Sequence, residues 1–235
     1  MKYDNPAARL HSLLTAGLNI SRGTTCSQAW HELLKTSGSN PILLSRLGKV
    51  YEMPQLIVDA LEEFDPGDAP EQHWQTQVMA GLTNQQLQQQ WSTFINHIDS
   101  HTLTYLKIAA KLLSKSASHE PATQEQLAKF QQLLEDLLRE ILESDQPDSV
   151  KQYVVRSLRK LIISIEEYRL TGSIPVGDAI DAAIGHVAVD ENYGSFLFKH
   201  PLGQKLRDCL GDIANVVTVY GGLPQLPSFA AGFLT

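Results

Sequence analysis

Only two cysteines, Cys26 and Cys209, occur among the 235 residues, and neither belongs to a CxxC or Cys/His group. That excludes a cysteine-based zinc site and argues against a disulfide framework, so a reducing cytoplasm is the expected compartment. No run approaches the roughly 20 apolar residues of a membrane span. The stretch Met1-Lys2-Tyr3-Asp4-Asn5-Pro6 has no apolar signal core. There is no excess of positive charge either: the net charge is −7, which disfavours nonspecific polyanion binding by the molecule as a whole. Catalytic, nucleotide-binding and metal-binding signatures are missing as well, and no repeat recurs at a fixed period. The sequence therefore assigns no catalytic, cofactor or metal residue.

What is present is helix. An apolar fraction of 43% with 19% charged residues is that of an ordinary globular protein. The clearest pattern runs from Gln124 to Gly172. Leu127, Phe130, Leu134, Leu137 and Ile141 recur at steps of three and four, with Leu133, Leu138 and Leu142 widening the stripe. After Ser144-Asp145-Gln146-Pro147-Asp148, the residues Val150, Val154, Leu158, Leu161, Ile165 and Tyr168 repeat it, flanked by Val155 and Ile162. Pro147 suits a first helical turn, and Gly172 suits the position just past a C-terminus. So short a connection makes the arms antiparallel neighbours. The expected fold is an all-α multi-helix bundle organised around this hairpin.

Before it, helices are expected over Pro6–Leu18, around Cys26–Leu34, and from Pro41 to Phe64 with a break at Pro54. Asp65-Pro66-Gly67-Asp68-Ala69-Pro70 is the best linker candidate. The sequence reads equally as two units, 1–64 and 72–235, or as one domain. From His73 to about Ser116 a helical pattern continues, with Gln85 to Gln90 read as a solvated helix face. After the hairpin come a helix over Ile174–Gly185, a turn at Asp190–Gly194 and a last helix from Pro201 or Leu202 to Tyr220. The tail from Leu223 to Thr235 carries no charged side chain. Its Leu226, Phe229 and Phe233 either pack back on the body or dock onto a partner.

Polar residues offer three candidate chemistries. His97 and His101, spaced as on one helical turn with Asp99 between them, have the geometry of two metal ligands, although no third ligand accompanies them. His186 and His200 lie near Asp190, Glu191 and Asp208, as in an acid/base pair. Both sets read first as polar helix faces or helix ends, and only second as chemistry. Cys209 reads as packing, and Glu135, Asp136, Glu140 and Glu143 as a solvated face. The third candidate is the polar side of the second arm, where Lys151, Arg156, Arg159 and Lys160 gather. Such a face fits nucleic acid or an acidic protein. Against that, the acidic first arm is placed to neutralise it, and no aromatic residues interleave to stack bases.

At Asn5-Pro6-Ala7-Ala8-Arg9-Leu10, Cys26-Ser27-Gln28-Ala29-Trp30 and Glu167-Tyr168-Arg169-Leu170-Thr171-Gly172, the chain resembles uncharacterised bacterial proteins of similar length associated with mobile elements and phage-defence loci. The resemblance spans most of the chain and supplies no residue roles. It implies a bacterial accessory protein. The leading expectation is thus a non-enzymatic interaction protein that binds a protein partner or a second copy of itself, without membrane contact. A nucleic-acid-binding module using the basic face comes second. A metal-dependent hydrolase centred on His97 and His101 or on His186 comes third.

Overall fold

The computed structural model describes residues 4–66, 73–115 and 121–218; the tail positions Leu226, Phe229 and Phe233 lie outside them. The described residues form twelve α-helices and no strand, so the fold is all-α, as the periodicity predicts. None of these helices is long and apolar enough to cross a membrane. The chain divides into two compact units, Met1–Ser118 and His119–Thr235. The boundary is therefore not at the proline-rich stretch 65–70. That stretch lies inside the first unit, where the helices on either side of it pack together.

The first unit contains α1 (Pro6–Gly17), α2 (Cys26–Leu34), α3 (Asn40–Phe64), α4 (His73–Asn84), the single turn α5 (Ser92–Ile95) and α6 (Ser100–Leu113). Asn5 caps α1 by accepting from the Ala8 N–H at 2.9 Å, and its amide donates to the Ala110 carbonyl of α6 at 3.0 Å. Thr25 and Gln28 form a capping box at the start of α2. Pro54 does not break α3. It is buried with Val50, Met53 and Ile57, and packing on that side outweighs the lost hydrogen bond. The expected helical face at Gln85–Gln90 is a loop instead, with a turn closed by the Gln89 N–H donating to the Gln86 carbonyl at 2.9 Å. Its Leu87 and Gln89 carbonyls accept from Ser27 and Cys26 N–H at 2.8 Å, satisfying first-turn donors of α2 that no intrahelical bond can reach. Trp91 closes the segment. Its ring meets Trp30 edge-on at 5.0 Å, lies 4.8 Å from Phe94, and donates from Nε1 to the Gly17 carbonyl at 2.9 Å.

The second unit contains α7 (Gln124–Glu143), α8 (Asp148–Glu166), the one-turn α9 (Tyr168–Thr171), α10 (Ile174–Gly185), α11 (Glu191–Lys199) and α12 (Pro201–Thr218). α7 and α8 pack on each other, α10 packs on α8, and α12 on α7 and α11. At one end of the first pair Lys151 Nζ is 3.5 Å from the Leu142 carbonyl. At the other the Ala122 N–H donates to the Tyr168 hydroxyl at 3.1 Å. Every residue of the two predicted seams is buried, from Leu127 to Ile141 and from Val150 to Tyr168. Two of the flanking leucines are not, with Leu142 53% exposed and Leu133 41%, while Leu138 is half-buried against the core. The buried stripe is thus narrower than the leucine content suggests. Gly172 adopts φ +76° after α9, a conformation that favours glycine. Asp190 to Gly194 is not a turn: Asp190 caps α11 by accepting from Asn192 and Tyr193 N–H at 2.9 and 3.0 Å.

Candidate partner-binding face

Burying one side of α8 dictates what its other side presents. With Val154, Leu158, Leu161 and Ile165 turned into the core, the residues three, four and seven positions apart on the reverse form a single strip. Gln152, Arg156, Arg159, Lys160 and Ile163 are exposed there, and Val155 is half-buried. Together they line a depression of about 410 Å³. Ile163 keeps 51% of its surface in water.

Charge neutralisation by the acidic arm does not occur. Glu140 pairs with Lys205 of α12 at 2.6 Å, and Asp136 with Arg139 of its own helix at 3.0 Å. Glu135 accepts from Gln131 at 2.9 Å. Among the described residues, Arg156, Arg159 and Lys160 enter no ion pair. Of the four cations singled out by sequence, these three share the depression. Lys151 stands apart, reaching back toward α7.

One of the three is held in place. The Arg156 guanidinium sits 5.2 Å from the centre of the Tyr153 ring. That ring is fixed from two other directions: its hydroxyl donates to the Ala182 carbonyl at 2.8 Å, and His186 stacks on it at 3.5 Å with 13° between planes. Tyr193 meets it edge-on at 4.7 Å and donates its own buried hydroxyl to the Ala183 carbonyl at 2.9 Å. Burial first, and the neighbouring Tyr153 second, push the Tyr193 hydroxyl well above its ordinary pKa. Tyr153 and His186 lie 33 positions apart in the chain, and no local spacing signals their pairing.

The histidine candidates find other employment. His186 lies 3.7 Å from Asp190, but it stacks on Tyr153 while Asp190 caps α11. His200 accepts the Leu202 N–H at 3.1 Å at the start of α12. His97 and His101 are not on one helical face, because Asp99 between them is the N-cap of α6. Its carboxylate accepts from the Thr102 N–H at 2.7 Å and lies 2.9 Å from His73 Nε2, a neighbour the sequence did not reveal. The Thr102 N–H, reinforced by His73, holds this carboxyl down to about 2. No group of three His, Cys, Asp or Glu side chains among the described residues is arranged to hold a metal ion. Cys209 is buried in the core of the second unit, as its apolar spacing predicts, and burial raises its thiol to about 11.

No known protein settles the matter. The chain matches no protein-family model, no curated protein and no solved structure. The face on α8 stands on its own geometry: cations without counter-charges around exposed apolar carbon, on a rigid helix.

Proposed function

We propose that the protein is a non-enzymatic helical interaction module, an accessory subunit that docks onto a macromolecular partner through the outer face of α8. The observation that carries this reading is the strip of Arg156, Arg159 and Lys160, unpaired among the described residues, around Val155 and Ile163. Such a strip is costly to expose and gains from being covered. Covering the exposed half of Ile163 would gain about 1 kcal/mol, and cations without partners repel one another. Membership of a bacterial phage-defence system is part of the same proposal. The test is site-specific photocrosslinking in the native host, from a benzophenone side chain at Gln152. A discrete adduct that disappears in the R156E/R159E variant is expected. An adduct pattern identical in the two backgrounds sinks the reading.

A further inference from the structure

Resting on that reading, we infer that the occupant of the α8 face is an acidic amphipathic helix of a protein partner, not a nucleic acid. The dimensions of the strip are those of a helix. Val155 and Ile163 are eight residues apart, about 12 Å along the axis at 1.5 Å per residue. A partner helix presenting an apolar side chain on successive pairs of turns places one beside each. Between them Arg156 and Lys160 are one turn apart, with Arg159 alongside. Carboxylates spaced three or four residues apart on the flank of the partner meet these cations one for one, and the guanidiniums donate to them in two-pronged fashion. Arg156 is already oriented by Tyr153, so less side-chain freedom is lost on binding.

The same features count against a phosphate backbone. Duplex recognition gains from many cation–phosphate contacts. Here three cations occupy roughly one helical turn of a chain whose net charge is −7. Phosphates also make no use of the exposed carbon of Ile163. The Tyr153 ring is no platform for a base, since it is already stacked with His186, contacted edge-on by Tyr193 and approached by Arg156.

The probes are three fluorescein-labelled molecules titrated with the full chain and read by anisotropy at physiological and low salt. They are a helical peptide of about three heptads with Leu at the a and d positions and Glu flanking them, the same peptide with every Glu replaced by Gln, and a DNA duplex. Saturable binding of the Glu peptide is expected. It weakens about tenfold in R156E/R159E and by a similar factor for the Gln peptide, the size of a loss of charge complementarity. Ile163→Asp also weakens it, while Lys151→Glu has little effect. Circular dichroism confirms that the variants, all altered at side chains that lie outside the core, remain folded. The inference is overturned if the Glu peptide fails to bind, if it binds R156E/R159E as well as the parent, or if the duplex binds in its place. Should any of these occur while the charge-dependent crosslink from Gln152 persists, the docking face stands and only the chemistry of its partner is wrong.

Discussion

The two units reach an all-α fold by different means. The first is held by large aromatic rings and by side chains that donate across long stretches of sequence: Asn5 to Ala110, Trp91 to Gly17, and Trp30 to Gln85 at 2.7 Å. Its helices are individually unremarkable, and its loops have structural duties. The second is held by aliphatic seams that repeat every three or four residues along α7, α8 and α12. A seam spreads stabilisation over many similar contacts. A keystone ring concentrates it, and ties it to a few directional bonds made over long sequence separations.

Substitutions can break or sharpen this contrast. The largest effect is expected from Trp91→Ala, which empties the volume between Trp30 and Phe94 and removes the indole donor to the Gly17 carbonyl, leaving that carbonyl only the Ile20 N–H. A loss of about 3–5 kcal/mol is expected, measured by denaturant unfolding of the first unit. In the second unit the most sensitive position is not a seam residue but Gly203. A methyl group there would overlap the Phe196 carbonyl oxygen, a backbone atom that cannot swing aside. Gly203→Ala should cost about 3 kcal/mol through displacement of α11 from α12, seen as loss of the unit's cooperative transition. If Gly203→Ala is neutral, the close α11–α12 approach is wrong.

Asn5→Ala should cost about 1–2 kcal/mol, because one residue supplies both the cap of α1 and its tie to α6. Asp99 gives a smaller, pH-dependent effect. Its carboxyl titrates near 2 in the folded chain against 3.8 ordinarily, so folding favours the ionised form. The stabilisation is complete above about 4 and is lost as pH falls toward 2. Asp99→Asn keeps a cap but removes this component, so its thermal midpoint should fall less steeply across that acid window than the parent's. The smallest effect belongs to R156E/R159E, expected to change stability by no more than about 0.5 kcal/mol while weakening partner binding about tenfold. A large destabilisation would mean that the cations serve the fold.

The contrast also explains what could be read from the sequence. The seams of α7 and α8 were legible residue by residue because periodicity is a local signal, and the same holds for α10, α12 and the buried Cys209. Local spacing failed where partners are remote. Gln85–Gln90 resembles a helix face until the unmet donors of α2 are considered, and those lie some 60 positions away. Pro54 and the 65–70 stretch look like breaks, yet burial on one side of α3 decides the first. On the outer face of α8, Arg156, Arg159 and Lys160 were visible as a charged strip. Their lack of counter-charges was not, because Glu140 is diverted to Lys205 on a helix more than 60 residues later. Tyr153 gave no signal, and His186, singled out beside Asp190, gave none of its stacking on Tyr153.

All three tryptophans, Trp30, Trp74 and Trp91, lie in the first unit and are almost wholly shielded from water. Indole emission is therefore a natural optical tag for one half of the chain and silent for the other, whereas far-ultraviolet ellipticity records both. Two melting curves from a single cuvette thus separate the units without any label. Superimposed curves mean that the halves unfold as one; a helical transition that leaves the emission unmoved belongs to the half that carries α8.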